Sequence, residues 1–405
     1  MPSPASRIAI ALAGGGPLGA SYEIGALCAL EDTLDGIDLT GLDHYIGVSA
    51  GAFMAAALAN RMRPRDLYAS FIDNEAQAGD VMDPAWLMVP AYGEFFRRAV
   101  TLPGLTFTAL KAFLCQGKSL SQALEHLGPA LPTGVFSNDE VDRRLRTLFS
   151  QAGRTNDFRQ LTTRLTLVAT HLDSGDAAPF GRTGWDHVPI SRAVQASSAL
   201  PGLFPPVEID GSFYVDGALK KTMHASVALD EGIDLVLCLN PLVPFDASSG
   251  SDQGNGRRIP SLVAGGLPAV LSQTFRSMIH SRMALGLKHY EQAYPEADIV
   301  LIEPSSCDPE YYLANTFSYA NRRHLAGHAY QATRALLRSG ALSQKLERHG
   351  IRLKSAVSAE QGPGLPASNR PTGTRLNQTV HRLHSVLDQL QAYSPTLMSK
   401  PVTIS

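Results

Sequence analysis

Short apolar runs alternate with helically spaced apolar residues over the first sixty positions. Residues 7–12 and His44–Val48 are mainly apolar over five or six positions, which is typical of strands buried in a sheet. Apolar residues recur at three- and four-residue intervals from Leu18 to Leu34, and small residues run from Phe53 to Ala59, so each segment predicts a helix. Alternating strands and helices predict an α/β fold with a mostly parallel central sheet.

The rest of the chain continues the alternation with longer helical stretches. Residues 64–150 have mainly helical spacing, and Asp210-Gly211 between two apolar runs predicts a β-hairpin formed by Val207–Ile209 and Ser212–Val215. The other predicted strands are Leu161–Thr170, Asp234–Leu239 and Asp298–Glu303. The other predicted helices are Ile190–Leu200, Ala269–Tyr294 and Tyr319–Leu337.

Two segments differ from this pattern. Residues 84–114 are rich in aromatic and aliphatic side chains and are predicted to form an apolar helical insertion. This insertion is a candidate lid or membrane-contact surface. A helical subdomain packed on the sheet would have the same pattern. Residues 355–405 are predicted to be a linker and a partly disordered C-terminal tail, because Gly, Pro and Ser dominate its first part. Within the tail, Thr379–Ala392 has the spacing of one amphipathic helix.

Composition excludes several classes of protein. The 405 residues contain 35 Lys and Arg against 37 Asp and Glu, without basic runs, which argues against a nucleic-acid partner. No apolar run reaches the ~18 residues that a spanning helix needs. The four cysteines are scattered without a C-x-x-C pair, which fits a reducing compartment, so we expect a cytoplasmic protein, with peripheral membrane contact as a further candidate. The sequence shows no metal-ligand cluster, and we expect neither a metal nor another cofactor.

A first candidate for chemistry is the pentapeptide Gly47-Val48-Ser49-Ala50-Gly51, which matches G-x-S-x-G between a predicted strand and a predicted helix. In a sharp strand-to-helix turn of this kind the serine backbone is strained and its hydroxyl is held out from the sheet, and flanking glycines avoid clashes across the turn. A G-x-S-x-G pattern alone also occurs by chance in tight turns. The pentapeptide therefore makes Ser49 a candidate nucleophile that needs further support.

A glycine-rich loop, Gly14-Gly15-Gly16-Pro17-Leu18-Gly19, follows the first predicted strand and allows two functional interpretations. It contains the G-x-G-x-x-G spacing of a dinucleotide-binding loop, but the acidic residue expected at the end of the second strand to bind a ribose is not found there. Alternatively, the consecutive glycines expose backbone N–H groups that can stabilise an oxyanion. Ser49 at the end of the neighbouring strand favours the oxyanion hole.

A candidate base is Asp216, which ends a predicted strand and is followed by Gly217. Such an aspartate is also common as a plain turn residue, as Asp210-Gly211 illustrates. A histidine base remains open from order alone, because several histidines follow Asp216 in the chain, among them His224 and His280.

The segment from Ala196 to Pro206, Ala-Ser-Ser-Ala-Leu-Pro-Gly-Leu-Phe-Pro-Pro, comes shortly before Asp216. Together with the glycine loop, the G-x-S-x-G pentapeptide and Asp216-Gly217-Ala218, it gives the chain a pattern that resembles the patatin-like phospholipase family. The four motifs occur in the family's order. The resemblance is strongest over residues 7–240.

The resemblance implies a fold, a reaction and a set of site residues. The implied fold is a three-layer α/β sandwich over residues 7–350. The implied reaction is hydrolysis of a lipid ester by a Ser49–Asp216 dyad without a histidine, in which Ser49 is the nucleophile and Asp216 the general base. Backbone N–H groups of Gly14, Gly15, Gly16 and Ala50 would form the oxyanion hole, and Gly47, Gly51, Gly19 and Gly217 would support the turns.

One departure bears on the substrate. The family has Arg or Lys at the position of Leu18, and this cation would favour phosphate-bearing lipids. An esterase or thioesterase that acts on other acyl substrates therefore remains an alternative to a phospholipase A or lysophospholipase. A catalytically idle lipid-binding protein of the same fold is a third interpretation, which the retained Ser49 and Asp216 disfavour.

Overall fold

The computed structural model describes residues 6–73, 87–115, 128–246, 262–306, 319–355 and 365. The chain divides into two compact units, residues 1–362 and 363–405, and the fold below belongs to the first. The predicted linker and tail lie outside the described residues except for Ser355 and Leu365, and so do residues 84–86 of the predicted insertion. The predictions for those residues stay predictions.

A central sheet of eight strands confirms the α/β class and the mostly parallel arrangement. Its strands are β1 (Ile8–Leu12), β3 (His44–Val48), β4 (Arg164–His171), β5 (Ala177–Phe180), β6 (Val207–Ile209), β7 (Ser212–Asp216), β8 (Leu235–Leu239) and β9 (Asp298–Ile302). The five strands β4, β3, β1, β8 and β9 are parallel neighbours in this order, whereas β5, β6 and β7 pair antiparallel at one side. A separate pair joins β2 (Leu34–Asp35) to β10 (Arg352–Leu353).

The helices connect the strands and cover the sheet. They are α1 (Gly16–Thr33), α2 (Ala50–Ala59), α3 (Pro64–Leu67), α4 (Tyr92–Cys115), α5 (Asp139–Phe149), α6 (Ile190–Ser197), α7 (Ser226–Leu229), α8 (Gly266–Ala293), α9 (Tyr319–Arg338) and α10 (Ser343–Arg348). A π-helical turn, Tyr68–Asp73, continues α3. Both α1 and α2 begin two to three residues before the apolar spacing predicted, because small residues at their first turns carry no periodic signal.

The two faces of the sheet are covered by different helices. On one face, Ala9, Ala11 and Cys238 pack with Met283 and Tyr290 of α8. On the other face α2 packs across β1, β3 and β4, and α1 lies between α2 and α9. Side chains alternate between the faces of a strand, so nearly every residue of β1 and β3 is buried. This buried three-layer packing explains why both strands read as continuous apolar runs.

The contact between α1 and α9 depends on a close backbone approach at Gly25. A Cβ atom at Gly25 would lie 2.2 Å from the carbonyl oxygen of Ala326, so only glycine allows the two helices to approach this closely.

We expect Gly25→Ala to lower the free energy of unfolding by about 2–3 kcal/mol, because the added methyl group forces α1 and α9 apart. Gly286 is a matched control, since it also lies within a helix but has open space where its Cβ would be. Gly286→Ala should raise the free energy of unfolding by about 0.5–1 kcal/mol through helix propensity. Denaturant unfolding checks both values, and an equal effect of the two substitutions would contradict the close approach.

Candidate active site

The candidate site forms where two strands meet on one edge of β4. Strand β5 pairs with Leu167–Thr170 of β4, so it occupies one edge. Strand β3 pairs with Arg164–Val168 and β7 with Ala169–His171, and each pairing overlaps that of β5. Because a strand residue has one neighbour on each side, β3 and β7 must share the opposite edge. Val48 pairs with Val168 and Asp216 with Ala169, so the two strands run toward each other and their last residues meet.

Ser49 lies at this junction, directly after β3 and before the first residue of α2. Its backbone has φ 56° and ψ −123°, a conformation that is strained for a residue with a side chain. Its backbone N–H donates a hydrogen bond of 2.8 Å to the Oγ of Ser197. The predicted sharp turn is therefore present, and its serine backbone is held in a fixed position.

The glycines on both sides of Ser49 are required by close packing. A Cβ at Gly51 would lie 2.3 Å from the Leu12 carbonyl oxygen, and a Cβ at Gly47 would lie 2.5 Å from the Cα of Ala52. The pattern G-x-S-x-G thus reflects the contact of α2 with the ends of β1 and β3. Ala50 is the first residue of α2, so its N–H lies at a helix N-terminus, where the helix has no acceptor for it.

Asp216 ends β7 and is 3% exposed. Its Oδ1 accepts a hydrogen bond of 2.9 Å from the N–H of Ala218. Burial raises the pKa of the Asp216 carboxyl to about 6, although hydrogen bonds from the Ser49 side chain and from the Ala218 N–H act in the opposite direction. The next residue, Gly217, must be glycine, because a Cβ there would lie 2.1 Å from the Val168 carbonyl oxygen.

The end of α6 fixes both halves of this pair. Ser197 accepts the hydrogen bond from the Ser49 N–H and donates one of 2.6 Å to the Val168 carbonyl oxygen. Two residues later, the carbonyl oxygen of Ala199 accepts a hydrogen bond of 3.0 Å from the N–H of Asp216. Sequence reasoning recognised this segment but assigned no role to Ser197. The only local signal is that Ser197 is the first serine of Ala-Ser-Ser-Ala.

The glycine loop lies directly against Ser49. A Cβ at Gly14 would be 2.9 Å from the Ser49 Cβ and 3.4 Å from its Oγ. Gly16 begins α1 with φ +58°, and the N–H of Gly19 donates a hydrogen bond of 2.9 Å to the Gly15 carbonyl oxygen. Among the residues that the structure describes, no acceptor bonds the N–H groups of Gly14, Gly15 and Gly16. These amides are therefore available to a ligand at Ser49.

Leu18 lies half-buried in the first turn of α1. Its side chain brings no charge to the glycine loop.

The structure brings no histidine to the pair in the part of the chain that it describes. The carboxylate of Asp216 interacts with Ser49 and Ala218. His224, the histidine nearest to Asp216 along the chain, instead donates a hydrogen bond from its ring to the backbone of Gly217. Burial, together with the charge of Lys221, lowers the pKa of His224 to about 4, so the ring is neutral at pH 7.

The dinucleotide interpretation has no support in the position of the acidic residues. Asp32 forms an ion pair with Arg65 and accepts a hydrogen bond of 2.8 Å from Tyr330. Asp43 accepts a hydrogen bond of 2.7 Å from the N–H of Ile8. Both lie before β3, away from its carboxyl end.

Within the described residues, no group of three or more His, Cys, Asp or Glu side chains is arranged to hold a metal ion. In the same residues, no helix has the length and apolar character needed to cross a membrane.

We expect Ser49→Gly to be more stable than Ser49→Ala by about 1 kcal/mol. Glycine relieves a backbone strain of ~1–3 kcal/mol. It also increases the entropy of the unfolded chain, which lowers stability, but by a smaller amount. Both variants lack the hydroxyl group, so the difference isolates the backbone. Denaturant unfolding at pH 7.5 measures it. Equal stability of the two variants would mean that the turn is not strained.

Comparisons with known proteins identify the family of this chain. A model of the patatin-like phospholipase family matches residues 10–229, more than half of the chain. Uncharacterized NTE family proteins of Mycobacterium bovis and Mycobacterium tuberculosis are 26% identical over 179 residues, which cover 44% of this chain but only 43% of each relative.

Two solved structures are also similar. VipD from Legionella pneumophila is 17% identical, with coverage of 83% of this chain and 67% of that chain and a TM-score of 0.40. The type III effector protein ExoU is 15% identical, with coverage of 98% and 67% and a TM-score of 0.33. On the family match, this chain belongs to the patatin-like phospholipase family.

Proposed function

We propose that this protein is a serine acyl hydrolase that cleaves carboxylic ester bonds of lipids through an acyl-Ser49 intermediate, with Asp216 as the base. Membership of the patatin-like phospholipase family supports lipid hydrolysis in general. The observation that carries the finer proposal is the meeting of Ser49, on a strained turn, with a buried carboxylate of raised pKa. Strained backbones and shifted pKa values are concentrated at functional sites.

In the first step, the Ser49 hydroxyl attacks the ester carbonyl carbon while its proton moves to Asp216. With a pKa of about 6, Asp216 is ionised at neutral pH and yet more basic than an exposed aspartate. When the tetrahedral intermediate collapses, Asp216 returns the proton to the leaving alcohol and the acyl group stays on Ser49. In the second step, water attacks the acyl ester and Asp216 accepts a proton from it. When this second tetrahedral intermediate collapses, Asp216 returns the proton to the leaving Ser49 oxygen, which frees the fatty acid and regenerates the Ser49 hydroxyl.

The negative charge of the intermediate requires hydrogen-bond donors that are already in place. The N–H groups of Gly14, Gly15 and Gly16 lack acceptors among the described residues and lie beside Ser49, and the Ala50 N–H lies at the N-terminus of α2. In comparable sites a single donor contributes about 3–4 kcal/mol to transition-state stabilisation. The glycine loop and Ala50 therefore form the oxyanion hole in this proposal.

Two helices expose large apolar side chains that suit a lipid substrate. On α4 the most exposed are Tyr92, Phe96, Val100 and Phe107, and on the first half of α8 they include Leu267, Val270 and Leu271. Glu94 anchors α4 to the segment at Thr133, whose hydroxyl donates a hydrogen bond of 3.1 Å to the Glu94 carboxylate. Residues 135–136 join this region to Leu203, which lies in the same segment, Ala196 to Pro206, as Ser197. The start of α8 leads to Ile279, which packs against Val48 and Ala218.

These apolar surfaces extend the proposal to membranes. A lipid held in a bilayer must leave it partly to reach Ser49, and apolar side chains around the site lower the free-energy cost of that transfer. We infer that α4 and the start of α8 form the peripheral membrane contact and that residues 84–114 act as the lid of the acyl site.

The replacement of the usual cation by Leu18 favours a second substrate class. Without a charge at the glycine loop, the site has no evident preference for a phosphate-bearing substrate. Esters or thioesters without phosphate are therefore the alternative substrates, and they would use the same dyad.

We expect Ser49→Ala and Asp216→Asn each to lower kcat for p-nitrophenyl butyrate by at least ~10³-fold, because one removes the nucleophile and the other the base. A fluorophosphonate probe should label the wild type at Ser49, as located by peptide mass spectrometry. Asp210→Asn is the matched control, since it changes another Asp-Gly pair that is exposed and lies in the adjacent hairpin turn. Its activity should stay within twofold. A wild type that neither labels nor turns over ester would identify a lipid-binding protein instead.

We expect kcat/KM to fall about tenfold per pH unit below about pH 6, because the raised pKa of Asp216 keeps the carboxyl protonated there. Above that value the carboxylate is ionised and the rate should reach a plateau. The measurement uses a neutral ester from pH 4.5 to 8, with circular dichroism at each pH to exclude unfolding. Full activity down to pH 5 would contradict a buried carboxylate base.

A further inference from the structure

A concave region lies at the end of the central sheet opposite to Ser49 and Asp216. Its volume is about 820 Å³, and it is lined by residues where parallel strands begin, among them Arg7 before β1, His44 of β3 and Arg164 of β4. A strand advances about 3.3 Å per residue, so His44 lies about 16 Å from Ser49 along β3. This region, called the basic cavity below, is therefore separate from the proposed acyl site.

Three guanidinium groups converge in the basic cavity on one residue, Glu231. The Glu231 carboxylate forms ion pairs with Arg164 and, at 3.3 Å, with Arg182. Arg7 donates a hydrogen bond of 2.7 Å to the backbone carbonyl of Glu231. The other carboxylate in the lining, that of Asp43, accepts the N–H of Ile8. Three cations thus face two carboxylates in the lining, and a third carboxylate, that of Asp234, accepts the backbone N–H of Arg7 just outside it.

Two buried polar atoms in the lining have no hydrogen-bond partner within the described residues. One is Nδ1 of His44, which lies 3.3 Å from Glu231 Oε2 without forming a hydrogen bond, although the other ring nitrogen is 2.9 Å from the Thr166 hydroxyl. The second is the hydroxyl of Thr163. Both atoms are closed off from solvent, so a ligand in the cavity is expected to contact the guanidinium groups and not these atoms.

We propose that the basic cavity binds a small organic phosphate through Arg7, Arg164 and Arg182. The volume is in the range of small-molecule sites, about 300–1,000 Å³. Its lining contains charged, hydroxyl and imidazole side chains, so it suits a charged ligand rather than an acyl chain. Guanidinium groups pair with phosphate oxygens in bidentate geometry, and several guanidinium groups in one cavity match a group with two negative charges.

Glu231 acts in this proposal as an internal competitor for the phosphate. The side chains of Arg164 and Arg182 are 63% and 40% exposed, so a ligand can reach them, and in its absence both are paired with the carboxylate of Glu231. A bound phosphate would take over part of their hydrogen bonding. Removing the Glu231 charge should therefore strengthen phosphate binding, whereas a cluster with a purely structural role would gain nothing from it.

The test is isothermal titration calorimetry of the full chain with pyrophosphate and with glycerol 3-phosphate at constant ionic strength. The Ser49→Ala background keeps the result independent of the proposed hydrolase activity. We expect saturable binding, at least tenfold weaker binding in Arg182→Gln and at least threefold tighter binding in Glu231→Gln. Arg143→Gln is the matched control, because Arg143 is an exposed arginine on α5 that pairs with Glu140. Its affinity should equal that of the parent.

Vesicles that contain phosphatidic acid distinguish a lipid headgroup from a free phosphate. Vesicle binding that is lost in Arg182→Gln but not in Arg143→Gln supports a headgroup as the source. The proposal is overturned if neither the soluble probes nor the vesicles bind at up to about 5 mM phosphate. It is also overturned if Arg182→Gln and Arg143→Gln change the affinity equally. The comparison of these two exposed arginines decides the question even where Glu231→Gln is unstable.

Discussion

The arrangement of the candidate site depends on one constraint, which is that β3 and β7 occupy the same edge of β4. The two strands approach from opposite directions, and backbone pairing with consecutive residues, Val168 and Ala169, fixes where each one ends. Ser49 and Asp216 are far apart in sequence, yet the hydrogen bonds of the sheet bring them together without a long loop. Catalytic groups supported by regular sheet pairing keep their geometry better than groups on free loops.

Holding this pair in place opposes the stability of the fold in two ways. Ser49 has a strained backbone, and Asp216 is a carboxylate shielded from water, which disfavours its charged form. The hydrogen bonds of Ser197 and Ala199 and the buried three-layer packing offset these costs. Under the proposed function, the same unfavourable features are what make the hydroxyl accessible and the carboxylate basic, so a more stable variant at these positions would be a poorer enzyme.

The sequence was sufficient to predict those parts of the fold that local patterns encode. The bounds of His44–Val48 and of the hairpin around Asp210-Gly211 match the structure closely, because apolar runs and turn residues are local signals. The strand Ala177–Phe180 was missed, since it is short and contains a proline, and the two-residue strands β2 and β10 are too short to show a pattern. The role of Ser197 depends on a hydrogen bond across 148 positions, and the basic cavity likewise combines distant residues. Such long-range contacts leave no periodic trace in a single sequence.

The shared edge also limits how this chain can change in length. An extra residue within Ser212–Val215 of β7 would move the carboxylate along β4 by about 3.3 Å and turn it toward the opposite face of the sheet. An insertion after His171, in the turn that leads to β5, would leave the β3 and β7 pairings with β4 untouched. Variation in length among related chains is therefore expected to be concentrated in loops and turns, while the length of β7 up to Asp216 is held constant by its pairing with β4.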